Sequence, residues 1–233
     1  MPEPTEVRSM FARIAGTYDG LNKTLSMGID RRWREATIRK AGSLKGARVV
    51  DLCCGTGDLS LLFAQQGAQV IGADFTHEMV CLAPAKRAAQ GGDLPAMFVQ
   101  GDAQSLPLPD GSMDVASVAF GIRNVESTER CLAEMLRVLK PGGQALILEF
   151  PPPSRGPAGQ AFRLYFNQIL PRIGGWVSGD PEAYRYLPRS VLAWPKPDVF
   201  AEKMRDAGFE GVGYKSMSAG IACLHWGSKP EAS

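Results

Sequence analysis

Carboxylates and glycines stand at the ends of successive short apolar runs in this chain, an arrangement suited to gripping a polar ligand. The run Val49-Val50-Asp51-Leu52-Cys53-Cys54 breaks into Gly55-Thr56-Gly57-Asp58. Glycines let backbone approach a ligand where a Cβ would intrude, and Asp51 puts a carboxylate close to that turn. Asp74 closes the next run, 69–74, where an acid can accept both hydroxyls of a ribose. Asp102-Ala103 follows 96–101, with Asp102 placed to accept from an adenine amino group. Ala119-Phe120 closes 113–120 and would line the ligand's other side. Each feature alone has an ordinary structural explanation, a tight turn or a helix cap. Four of them in order at successive run ends are the signal.

The same residues narrow the ligand's chemistry. A dinucleotide site calls for Gly-x-Gly-x-x-Gly, so that pyrophosphate can lie against the next helix N-terminus. Here the third glycine position is Ser60, and Asp58 puts negative charge where the phosphate would sit. The turn therefore favours a ligand bearing a sulfonium and an ammonium. S-adenosyl-L-methionine is such a ligand.

These run ends must be held by alternating strands and helices. Phe11, Ile14, Ala15, Tyr18 and Leu21 recur at helical spacing, predicting an amphipathic helix over 5–20, with more helix over 31–41. Strands are expected at 47–54, 69–74, 96–101, 113–120 and 145–150. Helices over 59–66 and 77–90, and one carrying Leu132, Met135, Leu136 and Leu139, separate them. The last of these is expected to end in Arg137 and Lys140, favourable at the negative end of its dipole, before Pro141-Gly142-Gly143. A helix over 200–207 then precedes strands at 211–215 and 220–226. Too few residues separate these strands for a crossover, so they should pair antiparallel.

The fold class is α/β, a Rossmann-like, seven-stranded, mostly parallel sheet with a terminal antiparallel hairpin. One domain, 1–233, is expected. It comprises an N-terminal helical cap (about 5–41), a cofactor-binding core (about 46–150), an insert after the fifth strand (about 151–198) and a C-terminal helix and hairpin (about 199–227).

Composition excludes several function classes. With 26 basic against 24 acidic residues the net charge is +2, which supplies no clustered basic face for nucleic acid. No apolar run approaches the roughly 18–20 residues that span a bilayer. The acidic, proline-containing opening Met1-Pro2-Glu3-Pro4 does not resemble a signal peptide, so the cytoplasm is the expected compartment. The five cysteines and two histidines, His77 and His225, lack zinc-ligand spacing; no metal site is expected, and the cysteines read as reduced buried thiols.

The strand-end series resembles the class I S-adenosylmethionine methyltransferase fold, and Leu139-Lys140-Pro141-Gly142-Gly143 resembles its turn before the fifth strand. A narrower resemblance is carried by Tyr18-Asp19-x-x-Asn22, Leu25-Ser26-x-Gly28-Ile29 and the run from Asp51 to Asp58. Phe120-Gly121-Ile122-Arg123-Asn124-Val125, Leu170-Pro171-Arg172-Ile173-Gly174 and Tyr184-Arg185-Tyr186-Leu187 extend it. Together these are similar to the UbiE-type quinone C-methyltransferases from about residue 9 to 227, and the Phe-Gly-x-Arg-Asn string is the most specific of them. The chain departs from that pattern at Cys53-Cys54, where Ala-Gly or Gly-Gly is common, and at Ala119, where Ser is.

The resemblance implies methylation of a ring carbon of a prenylated quinol, with a substrate-site role for the Arg123 region and for Tyr18. A ring carbon becomes nucleophilic once a hydroquinol proton leaves. Orienting the two reactants can supply roughly 7–11 kcal/mol, and a base such as a bound water about 10²–10⁴-fold more. Arg123 stays protonated; it is expected to lower the quinol's effective pKa and orient that water, with Asn124 holding the geometry and Tyr18 closing over the ring. Structural alternatives stand beside each role: an ion-pair partner for Arg123, a core aromatic for Tyr18, packing for Tyr184, Arg185 and Tyr186.

Phe162, Leu164, Tyr165, Phe166, Ile169, Leu170, Ile173 and Trp176 read either as the wall of a prenyl-tail channel or as the buried face of a helix. The expected partners are the prenylated quinol, a membrane surface touched peripherally and a second copy in a homodimer. Demethylmenaquinol is favoured over a ubiquinol precursor. The alternatives are methylation of another small molecule such as a sterol, phenol or amine, a non-catalytic scaffold, and a nicotinamide dehydrogenase. Phe-Gly-Ile-Arg-Asn opposes the first, the intact strand-end acids the second, and Ser60 with the terminal hairpin the third.

Overall fold

The computed structural model describes residues 4–26, 28–153 and 181–231, with single positions 156, 159 and 164. Its strands are β1 (Arg48–Leu52), β2 (Gln69–Asp74), β3 (Ala96–Gln100), β4 (Met113–Ala119), β5 (Leu139–Glu149), β6 (Glu210–Met217) and β7 (Ala222–Ser228). They form one sheet in the order β3-β2-β1-β4-β5-β7-β6, with β1 to β5 parallel and β7 antiparallel to both β5 and β6. Strand order reverses between β1 and β4, which opens a crevice beyond their carboxyl ends, where such sheets bind ligands.

A parallel sheet needs cover on both faces, and the alternation of β1 supplies it. Val49 packs with Leu59, Phe63 and Leu146 on one side, while Val50 packs with Leu132, Met135 and Phe200 on the other. The covering helices are α2 (Ile29–Ala41) and α3 (Asp58–Gln65) on the first face, and α5 (Thr128–Val138) and α7 (Pro197–Asp206) on the second. Helix α4 (His77–Ala89) follows β2, and α6 (Pro181–Ala193) precedes α7. Helix α1 (Pro4–Leu25) lies against α4 and α6 through Met10, Ile14, Ala15, Met79 and Val191, a cluster that shares no buried residue with the two sheet cores.

One expected boundary is corrected. Helix α5 stops at Val138, and Leu139 already has extended backbone (ψ 139°) as the first residue of β5. Lys140 therefore does not serve the helix dipole; its Nζ bonds Asp114 Oδ1 at 2.6 Å. Pro141-Gly142-Gly143 bulges out of β5, since Met113 pairs with Leu139 but Val115 pairs with Gln144. The bulge is held by Gly142 N donating to Lys229 O and Lys229 N donating to Gly143 O.

Most of the insert falls outside the described residues. That covers Leu170-Pro171-Arg172-Ile173-Gly174, every proposed channel residue except Leu164, and the side chains of Tyr184 and Arg185. Leu164 is exposed. Among the described residues no helix is long and apolar enough to cross a membrane, and no three metal-ligating side chains gather.

Candidate functional site

A cleft of about 260 Å³ opens where β1, β2, β3 and β4 end, beneath α1. Eight of the residues given a ligand or substrate role from sequence line it: Tyr18, Gly55, Asp74, Asp102, Ala103, Ala119, Phe120 and Asn124. Asp51, Thr56, Gly57 and Arg123 do not.

The turn after β1 is shaped by close approach. Gly57 has φ +87°, and a Cβ there would stand 2.7 Å from the Phe98 ring. Gly121 is equally forced, because its Cβ would collide with that of Cys53. Asp74 fixes the turn from the neighbouring strand: Gly55 N donates to its Oδ2 at 2.8 Å and Thr76 N to its Oδ1 at 2.8 Å. Burial pushes the Asp74 carboxyl above its ordinary value, and these two amides partly offset that rise.

Asp51 is 1% exposed and turned inward. Ser60 Oγ donates to its Oδ2 at 2.6 Å, and Ser117 Oγ, its register partner on β4, to its Oδ1 at 2.8 Å. Burial pushes this carboxyl up to about 6. The serine that breaks the dinucleotide pattern is thus the donor that supports Asp51 under the turn. Asp58 heads α3 as expected, but its charge is taken up by Lys86 Nζ at 2.5 Å and, at 3.8 Å, by Arg34.

At the end of β3, Asp102 Oδ1 accepts from Gln104 N at 2.9 Å and from Gln104 Nε2 at 3.2 Å. Gln104 Oε1 in turn accepts from Ser127 N at 2.9 Å, tying this corner to the start of α5. At the end of β4, Phe120 adopts φ +60°, a conformation that side chains larger than glycine rarely take without a constraint. Its ring stacks on Phe150 at 4.4 Å, and Trp33 meets both edge-on.

The constraint on Phe120 is Arg123, whose Nη1 donates to Phe120 O at 2.7 Å and to Glu149 Oε1 at 2.5 Å. Its Nε reaches Ser190 Oγ at 3.3 Å, and its guanidinium borders a neighbouring groove beside α6. Asn124 does face the cleft, with its Oδ1 accepting from Tyr186 Oη at 2.9 Å. Tyr18 is half-buried against Phe11, and burial pushes its phenol up while a hydrogen bond with Asn22 opposes the rise.

Sequence reasoning passed over Glu149, Lys86 and Gln104. Glu149 carried a signal, a charge closing the apolar run of β5; Lys86 carried none, since a lysine in the last turn of a helix ordinarily faces water. The expectation of buried thiols fails at Cys81, which is exposed beside His77 at 3.3 Å, while Cys131 and Cys223 are buried.

Comparison with known proteins places the chain in a family and a fold. A model of the ubiE/COQ5 methyltransferase family matches residues 2–229. A demethylmenaquinone methyltransferase of Thermus thermophilus is 45% identical over 95% of this chain and 100% of its own length. One of Deinococcus radiodurans is 47% identical over 96% of this chain and 92% of its own. Among solved structures, the [4+2]-cyclase SpnF superposes with TM-score 0.75 at 18% identity, covering 99% of this chain and 98% of SpnF. A phosphoethanolamine N-methyltransferase 2 of Haemonchus contortus, in complex with S-adenosyl-L-methionine, gives TM-score 0.64 at 16% identity over 85% of this chain and 52% of its own. At those identities the structural likeness concerns the fold, which is the Rossmann-like class I methyltransferase fold. Matched over nearly its whole length, the chain belongs to the ubiE/COQ5 methyltransferase family.

Proposed function

We propose that this enzyme transfers the methyl group of S-adenosylmethionine to a ring carbon of a prenylated quinol, demethylmenaquinol being the favoured substrate. The observation that carries the reading is the charge of the cleft. Among the described lining residues are three carboxylates, Asp74, Asp102 and Glu126, against one cation, Arg8, which lies over the Phe75 ring. Such a wall attracts a positively charged ligand and repels phosphates.

The residues present fit that cofactor. Each Asp74 oxygen accepts one amide and keeps acceptor capacity for a pair of hydroxyls. Asp102 keeps capacity for an amino group, its Oδ2 being reached only at 3.5 Å by Gln104. Gly55 brings bare backbone to the cleft, and Ala103 and Ala119 are small enough to lie along a flat ring. Bound there, S-adenosylmethionine supplies an electrophilic methyl group on sulfur.

The chain's own work is to hold and orient, worth roughly 7–11 kcal/mol when two reactants are fixed together. Tyr18 closes the cleft from α1 and offers a phenol to a quinol oxygen. Asn124, whose carbonyl is taken by Tyr186, keeps its two N–H donors for the substrate or for a water that accepts its proton. Arg123, held against Phe120 O from outside the cleft wall, biases the quinol toward ionisation, with Glu149 setting how much of its charge is felt. Relatives of both the demethylmenaquinone type and the joint ubiquinone/menaquinone type resemble the chain, and the two relatives of highest identity described above carry the former name. A prenyl tail resides in the bilayer, so the substrate would be met at a membrane surface.

The test is methyl transfer from labelled S-adenosylmethionine by the purified protein, offered demethylmenaquinol and a ubiquinol precursor in detergent. Label should enter the quinol fraction, faster with demethylmenaquinol. Transfer to neither quinol defeats the reading.

A further inference from the structure

Consecutive residues of α1 meet consecutive residues of the glycine turn. Tyr18 Cε1 lies 3.9 Å from where a Cβ on Gly55 would stand. Beside it, Asp19 Oδ1 accepts from Thr56 Oγ1 at 2.6 Å. Lys86 of α4 closes this contact into a ring. Its Nζ donates to Asp19 Oδ2 at 2.7 Å and to Thr56 Oγ1 at 3.0 Å, and pairs with Asp58 Oδ1 at 2.5 Å. Those three acceptors match the three hydrogens of an ammonium group. Thr56 at the centre is 3% exposed, whereas the Asp19 and Asp58 side chains at the rim are 44% and 34% exposed.

Neither Asp19 nor Lys86 lines the cleft, so neither is needed to touch its ligand. Helix α1, however, contributes Val7, Arg8, Phe11 and Tyr18 to the cleft wall. Its buried Met10, Ile14 and Ala15 belong to the small separate cluster against α4 and α6, and its buried Val7 lines the cleft, so the helix can move without opening either sheet core. The polar ring is therefore the direct bond between this helix and the turn beneath it.

We propose that Asp19 and Lys86 are positioning residues that latch α1 as a closed lid over the cofactor turn, with the Thr56 hydroxyl as the catch. Ligand exchange then requires the ring to open, and Tyr18 is in place only while it is shut. A part-exposed ion pair alone contributes little, but here two carboxylates and a hydroxyl share one ammonium, and losing Asp19 removes two charge-assisted bonds together. The inference rests on the reading of the cleft as the S-adenosylmethionine site.

Two measurements on the whole protein test it: hydrogen exchange of the α1 amides without ligand, and the dissociation rate of S-adenosylmethionine by rapid mixing. Asp19→Ala should speed α1 exchange about tenfold, equivalent to about 1.4 kcal/mol of lid closure, and raise the dissociation rate by a similar factor. Asp19→Asn, which keeps an acceptor for Thr56 but loses the charge, should fall between it and wild type. Lys86→Met should follow Asp19→Ala, and it carries the comparison if that variant does not fold. Glu35→Gln, which breaks only the exposed pair with Arg31, should change neither quantity. Exchange and dissociation within twofold of wild type in Asp19→Ala and Lys86→Met overturn the latch. If wild type binds no S-adenosylmethionine, the cofactor reading falls, and exchange alone then decides whether α1 is latched.

Discussion

Arg123 Nη1 lies 2.5 Å from Glu149 Oε1, and both side chains are buried, at 6% and 1% exposure. Strand β5 thereby reaches across its own end to hold the turn after β4, because the same guanidinium nitrogen donates to Phe120 O. Glu149 Oε1 also accepts from Phe150 N at 2.8 Å, so the pair fixes both members of the stacked Phe120–Phe150 pair.

Breaking a buried pair on one side leaves a stranded charge and costs about 3–5 kcal/mol. Arg123→Met and Glu149→Met are each expected to lower the Tm by on the order of 10 °C in a chain of this size. The double variant should recover most of that loss by packing, without recovering turnover. Thermal unfolding and the methyl-transfer assay on the three proteins check this. Full recovery of turnover would remove Arg123 from the chemistry and leave it a structural role alone.

Tyr186→Phe deletes a single hydroxyl, the donor that fixes Asn124 Oδ1. A hydrogen bond of this kind contributes about 1 kcal/mol, so kcat should fall roughly fivefold while affinity for S-adenosylmethionine stays the same. Calorimetry beside steady-state kinetics separates the two. An equal loss in cofactor affinity would place Asn124 on the wrong ligand.

Gly57→Ala combines a left-handed backbone with a Cβ 2.7 Å from the Phe98 ring. The backbone component alone costs about 1–2 kcal/mol, and cofactor affinity should fall with stability because the turn must shift. Adding Phe98→Leu should relieve the collision and restore part of both. Denaturant unfolding and cofactor titration read the effect.

The raised pKa of Asp51 gives a pH signature with a definite sign. Its folded value, about 6, exceeds the ordinary 3.8, so the folded state holds the proton longer than the unfolded chain does. Stability from this group is therefore fully present below about pH 3.8 and is lost as pH rises to about 6. Asp51→Asn does not titrate, so its stability relative to wild type should climb across that window, by on the order of 3 kcal/mol. Urea unfolding of both proteins at pH 4 and pH 7 measures the difference. A pH-independent difference would contradict the assignment.

The parts of this molecule legible in sequence are those that act locally. Asp74 and Asp102 announce themselves because a carboxylate closing an apolar run sits at a strand end, and the strands follow from short runs bounded by glycine and proline. The boundary at Val138 is hidden in the sequence because Leu139 continues the helical spacing although it belongs to β5. What could not be read is what pairing brings together. Ser117 meets Asp51 only because β1 and β4 lie side by side, and Lys86 meets Asp19 only because α1 crosses α4. Arg123 was legible as a functional candidate but its partner was not, since the two are joined by the end of a strand rather than by spacing.

Titration calorimetry decides whether the acidic cleft at the ends of β1 to β4 holds S-adenosylmethionine. Wild type should bind one equivalent of S-adenosylmethionine and show no heat with NAD. Asp74→Ala should lose at least about fivefold in affinity, beyond what its stability loss explains, because a hydrogen-bonding site left with unpaired groups forfeits about 1–3 kcal/mol. Binding of NAD in place of S-adenosylmethionine, or affinity untouched in Asp74→Ala, would contradict the account.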